Sequence, residues 1–305
     1  MYDFMIAGND CPKILRENLK RLNKLYPNSI VFLYDWGHLS KNLSAFRKTN
    51  KNVKIIPWPS ANKSNYCFQK IVCIKDCFYN NHEKPLVFVD SDVIILDRVD
   101  EVFNNSDCDI AVSWRPEYNY KKDEFNVGAW LNSGVIFFNN INVSNTKLFL
   151  DEWCKRGEKW SDKSWFVDQV ELIKLVALAL PDLSKGADLL GLLQINEHKI
   201  SIKTLHYTIY NFYPEMPFPY AEYNPGLAKI IHLKSRWRKI KFNILPSFLR
   251  KKWIDNIKES HNMFLSKINI SFNVLIFNGY NFIGYIKGKF NRILLKYKEF
   301  KNGRQ

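Results

Sequence analysis

The chain lacks the marks of several protein classes. No window offers about 18 uninterrupted apolar residues, so no spanning helix is expected. The opening MYDFMIAGND has neither the basic stretch nor the longer apolar core of a secretory signal, and a cytosolic protein is the expectation. None of the six cysteines forms a C-x-x-C. Cys73 and Cys77 fall four apart on an expected helix, so the thiols read as reduced packing residues rather than a disulfide framework. Without a signal, the N-x-S sequons at Asn42 and Asn142 read as incidental in an Asn-rich chain. No internal repeat is visible. Acid is scarce at one end: residues 234–305 hold 3 of the 30 acids but 17 of the 45 bases, a net +14, which leaves residues 1–233 at +1. The basic excess therefore belongs to one segment.

What is present describes a globular protein, with 46% apolar and 25% charged residues over 305 positions, enough for one large or two ordinary domains. The chain is organised around Lys84 to Leu96, KPLVFVDSDVIIL. Leu86 to Val89 has no polar alternation, which suits a strand buried on both faces of a parallel sheet. Such sheets bind ligands at the carboxyl ends of their strands. Asp90 and Asp92 fall there, and two neighbouring carboxylates call for a divalent cation. A second D-x-D, Asp107 and Asp109, precedes its apolar run Ile110 to Trp114 and so sits at the wrong end of a strand.

Around this centre the pattern alternates. Strands are expected at Tyr2 to Ala7, Ile30 to Tyr34 (ending at Asp35) and Val53 to Trp58. Helices are expected at Pro12 to Tyr26 and Asn65 to Tyr79. That interval implies right-handed βαβ units and a mostly parallel sheet, an α/β half of nucleotide-binding type over about the first 115 residues. Arg115 to Trp130 is too long for a simple connection and reads as a substrate loop or lid. Asn132, Ser133 and Gly134 open a strand from Val135 to Asn139. Helices follow at Thr146 to Gly157 and Val167 to Leu180, stopped by Pro181. Residues 182–230 read as irregular, before a short strand through Ile230, Ile231, His232, Leu233 and Lys234.

Four motifs thus stand in order: Asp90-Ser91-Asp92, Asn132-Ser133-Gly134, Asp168-Gln169 and His232-Leu233-Lys234. Together they resemble those of retaining GT-A glycosyltransferases of the glycogenin and bacterial lipopolysaccharide galactosyltransferase kind, over Tyr2 to Trp237. The resemblance implies a GT-A, Rossmann-like fold: a mostly parallel central sheet flanked by helices in a catalytic domain of residues 1–237. It implies Mn²⁺ or Mg²⁺ on Asp90, Asp92 and His232, bridging the phosphates of a nucleotide diphosphate sugar. Mixed carboxylate and imidazole ligation suits either ion. Lys234 and Lys70 are the candidates for a lysine that lowers the energy of the departing diphosphate. Asn132 and Gly134 would line the donor-sugar pocket, Ser91 would contact ribose, and Asp168 with Gln169 would face donor sugar and acceptor.

Each residue also has a plainer reading. His232 as a core histidine, Lys70 as a solvated helix lysine, Asn132 to Gly134 as a turn before a strand, and Asp168 with Glu171 as a D-x-x-E helix cap all fit the sequence. His232 and Lys234 also stand closer together than that family's pattern often has them.

Residues 238–305 form a basic, aromatic tail, expected to be helical and to associate with an anionic membrane surface. Nucleic acid competes as a partner on charge alone, but no nucleic-acid fold motif is visible. The expected activity is transfer of a hexose from a nucleotide diphosphate sugar, UDP-linked, to a glycan or glycolipid in cell-surface polysaccharide synthesis, on the inner face of the membrane. Two alternatives remain. A sugar-phosphate nucleotidyltransferase would show a glycine-rich loop where Ala7-Gly8-Asn9 is glycine-poor. A non-catalytic membrane or nucleic-acid binding protein would not need the four motifs together.

Overall fold

The computed structural model describes residues 1–8, 12–36, 52–58, 66–81, 84–104, 107–115, 131–160, 166–183, 186–212 and 228–233. The turn beyond Gly8, the 116–130 loop, Lys234 and the 238–305 tail lie outside the described residues.

The first half follows the alternation read from the sequence. β1 (Asp3–Ala7), α1 (Pro12–Leu25), β2 (Val31–Asp35), β3 (Val53–Pro57), α2 (Tyr66–Asn80) and β4 (Leu86–Asp90) come first. Then come β5 (Val93–Ile95), α3 (Glu101–Asn104), β6 (Ile110–Trp114), β7 (Leu131–Phe138), α4 (Val143–Glu158) and α5 (Val167–Ala179). The described elements end with β8 (Leu190–Ile195), β9 (His198–His206), α6 (Tyr207–Tyr210) and β10 (Ile230–His232). Eight strands form one sheet in the order β3-β2-β1-β4-β7-β6-β9-β8. The β3-β2, β2-β1, β1-β4 and β6-β9 pairs are parallel, and β7 and β8 run against their neighbours. The sheet is thus mostly parallel.

Side chains alternate across a strand, and the central strands use both faces. Met5, Phe88, Ile136 and Phe138 enter one core with Ile71, Phe149, Trp153 and Leu172 of α2, α4 and α5. Phe4, Ile6, Val87, Val89 and Phe137 enter the other with Leu15, Leu19 and Leu22 of α1. This double burial accounts for the unbroken apolar run Leu86 to Val89.

Two expectations are corrected. Residues 182–230 are not irregular throughout, because Leu190–Ile195 and His198–His206 pair as a hairpin that closes one edge of the sheet. Its turn places Asn196 at φ 51°, a conformation asparagine tolerates, and β8 puts Leu190 and Leu192 on its exposed face and Leu193 on its buried one, so its sequence shows no clean alternation. Nor does Asn132-Ser133-Gly134 precede its strand. The three residues lie inside β7, where the ladder to β6 jumps from Val112–Ile136 to Ser113–Asn132. Such a bulge re-aims side chains at a sheet's functional end.

Candidate active site

Strand β4 delivers Asp90 to the carboxyl end of the sheet, with Ser91 and Asp92 buried just beyond it. His232 arrives from far along the chain through a local ladder. β5 and β10 pair antiparallel with His232 opposite Val93, and the Leu233 N–H donates to the Asp92 carbonyl at 2.8 Å. His232 Nε2 then lies 2.9 Å from Asp92 Oδ1 and 3.8 Å from Asp90 Oδ2, with the ring 1% exposed. One ligand atom from each of Asp90, Asp92 and His232 falls within a common 4.8 Å.

That donor set fits a divalent cation. Two carboxylates and an imidazole match Mn²⁺ or Mg²⁺, and an octahedron with bonds of about 2.1 Å has edges of about 3 Å, close to the Asp92–His232 spacing. Gly134 fits the same purpose. A Cβ there would run into His232 Cε1 and come within 2.7 Å of both Asp90 Oδ2 and His232 Nδ1, so only glycine leaves these two side chains room.

A second cluster adjoins the first. Lys70, on α2, is 9% exposed, which rules out the solvated helix lysine. Its Nζ lies 3.2 Å from Asp90 Oδ1 and 3.1 Å from Ser133 Oγ, and it pairs with Asp168 Oδ2. Ser133 Oγ donates to Asp168 Oδ2 at 2.6 Å. Asp168 sits in the first turn of α5, but the helix's N-cap position is Phe166 and has no side-chain cap bond. Glu171 pairs with Lys174 instead, so the D-x-x-E cap is not formed. Trp153 Nε1 holds that first turn by donating to the Asp168 carbonyl at 3.0 Å.

The charges are set by their neighbours. Burial works against the Lys70 ammonium, but Asp168 and Asp90 outweigh it and raise its pKa, so it stays charged. Burial likewise opposes ionisation of Asp168, yet Lys70, Ser133 and the Gln169 N–H hold its carboxyl below the ordinary range. Asp90 goes the other way. Burial raises it, and Asp92 and Asp168 add repulsion that Lys70 and His232 do not fully offset.

Amides complete the site. Asn132 Nδ2 donates to Gln169 Oε1 at 2.9 Å, and Asn132 Oδ1 accepts from the Gly134 N–H at 2.8 Å. The structure therefore brings together Lys70, Asp90, Ser91, Asp92, Asn132, Gly134, Asp168, Gln169 and His232, whereas Lys234 lies outside the described residues. Sequence reasoning gave no role to the Ser133 hydroxyl, although it sits in a motif. It also missed Asn211, which is fully buried between Asn132 and His232 and which nothing in its local sequence marks.

No family model matches the chain, and no curated protein matches it. Solved structures do. An active-site mutant of LgtC aligns over 83% of this chain and 96% of its own, at 12% identity and a TM-score of 0.51. The galactosyltransferase LgtC with donor and acceptor sugar analogues aligns over the same shares at 14% identity and a TM-score of 0.47. The glycosyltransferase GlyE of Streptococcus pneumoniae TIGR4 aligns over 84% of this chain and 64% of its own, at 14% identity and a TM-score of 0.49. The fold is that of the GT-A type glycosyltransferases.

Proposed function

We propose that the chain is a metal-dependent glycosyltransferase, moving a hexose from a UDP-linked sugar to a glycan or glycolipid hydroxyl with retention of configuration, in cell-surface polysaccharide synthesis. The observation that carries this reading is the convergence of Asp90, Asp92 and His232 at the carboxyl end of β4, in a fold of this type. The donor set alone fits many metal sites. The buried Lys70–Asp168 pair beside it adds a fixed ammonium next to those carboxylates.

In this reading Asp90, Asp92 and His232 hold Mn²⁺ or Mg²⁺, which supplies positive charge to the diphosphate when bound. The protein's own groups do the rest. Lys70 keeps a permanent positive charge against Asp90 and holds Asp168 ionised. Asp168 Oδ2 is occupied by Lys70 and Ser133, and its depressed pKa makes it a poor base for the acceptor hydroxyl. It is suited to accepting hydrogen bonds from the donor sugar, which favours retention over inversion. Gln169 has its carbonyl oxygen engaged by Asn132, so its NH₂ is the end left to donate to a sugar oxygen.

Among the described residues no helix is long and apolar enough to cross a membrane. We assign residues 1–237 to the catalytic domain and residues 238–305 to docking on an anionic membrane surface. Each base near such a surface contributes about 1 kcal/mol, not additively. The full chain should bind anionic vesicles, bind neutral ones little, and be partly released by high salt, whereas a chain ending at Lys241 should bind neither. Equal binding by that truncation refutes the docking role.

The test of function is a panel of nucleotide sugars, with and without Mn²⁺, followed by NMR of the early product. Donor hydrolysis that needs the ion, giving the donor's own anomer, supports the reading. Hydrolysis of no sugar nucleotide, or equal rates with a chelator, sinks it.

A further inference from the structure

The polarity of a buried amide relay can be read from one backbone group. The Gly134 N–H can only donate, so the Asn132 atom 2.8 Å from it is the carbonyl oxygen, Oδ1. That oxygen also faces Asn211 at 2.9 Å, so Asn211 presents its NH₂ there. The other end of the Asn211 amide is then its oxygen, 3.1 Å from His232 Nδ1. An amide oxygen only accepts, so Nδ1 must carry a hydrogen. Nε2 is the nitrogen that faces Asp90 and Asp92, and on the neutral ring it is the one with a lone pair for a cation.

We propose that Asn211 is a positioning residue whose carbonyl oxygen holds the hydrogen on His232 Nδ1 and so commits Nε2 to the cation. The proposal rests on the metal site proposed above. It goes further in naming the residue that orients the imidazole ligand and the relay that fixes its direction. The placement is structural as well as chemical. Phe212 bridges Ile231 in parallel, the Phe212 N–H donates to the Ile230 carbonyl at 2.9 Å, and the His232 N–H donates to the Phe212 carbonyl at 2.7 Å. Asn211 is therefore held beside β10 by backbone bonds that its side chain does not make. Metal-bound histidines generally have the other ring nitrogen tied in this way, and loss of that partner weakens metal affinity about 10- to 100-fold.

The test reads the ring nitrogen and the metal separately, in the full chain. Nitrogen-15 NMR of His232 should show Nδ1 carrying its hydrogen both without metal and with Zn²⁺. An unprotonated Nδ1 in either state overturns the proposal. Co²⁺ affinity, followed by its visible absorption, should fall at least about tenfold in Asn211→Leu and stay within about threefold of the parent in Asn211→Asp, which keeps an acceptor oxygen. Wild-type affinity in Asn211→Leu, or a tenfold loss in a folded Asn211→Asp, overturns it. Should Asn211→Leu not fold, the aspartate variant and the NMR still decide. If the parent protein binds neither ion while Nδ1 keeps its hydrogen, the relay stands and the metal-dependent function is what fails.

Discussion

The chain contains two D-x-D pairs, and the contrast between them shows what placement adds to spacing. Asp107 and Asp109 enter β6 at its amino end. Asp109 Oδ2 accepts from the Ser201 N–H at 2.8 Å, Ser201 Oγ at 2.9 Å and Asn145 Nδ2 at 3.1 Å, which ties β6 to β9 and α4. Asp107 faces Lys203 at the surface at 3.4 Å. Asp90 and Asp92, with the same spacing, leave β4 at its carboxyl end, facing an imidazole and a buried ammonium. One pair is tied into strand and helix contacts, and the other converges with a buried imidazole and a buried ammonium.

The largest expected effect separates the two pairs outright. Asp92→Asn should lower Mn²⁺-dependent turnover by about 10³-fold with an unchanged melting temperature, because charge facing the reaction is lost while the fold is not. Asp109→Ala should do the reverse: about 1–3 kcal/mol less stable to urea, from the stranded Ser201 and Asn145 donors, with the folded fraction active. Full turnover by the Asp92 variant would erase the distinction.

Next comes the ammonium that only the first pair faces. Lys70→Met should cost about 3–5 kcal/mol in chemical denaturation, because it leaves Asp168 and Asp90 as uncompensated buried charge. An effect under about 1 kcal/mol would mean that the pair behaves like an exposed one.

Two glycines give a smaller, matched test. Gly134→Ala pushes on His232 and Asp90 and should weaken Mn²⁺ affinity about tenfold in calorimetric titration. Gly191→Ala meets the Ala179 carbonyl and comes within 2.6 Å of Leu180 Cδ2, so it should cost about 1–3 kcal/mol of stability and leave Mn²⁺ affinity alone.

The smallest effect is one of pH. Asp168 is lowered when folded, so its contribution is present above its unfolded value of about 3.9 and is lost as pH falls through the folded value. Asp90 is raised, so its ionised form costs the metal-free protein stability at neutral pH, and that cost vanishes as pH falls through the folded value. Metal-free Asp90→Asn should therefore melt slightly above the parent at pH 7, with the gap closing toward pH 4 and reversing when Mn²⁺ is added. A lower melting point for Asp90→Asn at pH 7 without metal would refute the assignment.

Much of this was legible in the chain. Unbroken apolar runs marked strands buried on two faces, the alternation with helices marked the parallel half of the sheet, and the order of the motifs pointed to the GT-A fold. The hairpin of β8 and β9 was not legible, because β8 carries leucines on its exposed face as well as its buried one, so its sequence lacks the alternation that marks an edge strand. The place of Asn132 to Gly134 inside β7 was not legible either, since a bulge is a property of two strands and not of one.

The sequence by itself determined which carboxylates reach the ligand-binding end of the sheet, because strand direction and the position of a residue in its apolar run are local properties. Only the tertiary structure decided that Lys70 is buried against Asp90 and Asp168, that a Cβ at position 134 would strike His232, and that the Asn211 amide lies 3.1 Å from His232 Nδ1. Those relations join residues 20 to 98 positions apart. Their energies depend on distance and on the exclusion of water, and neither exists until the chain has folded.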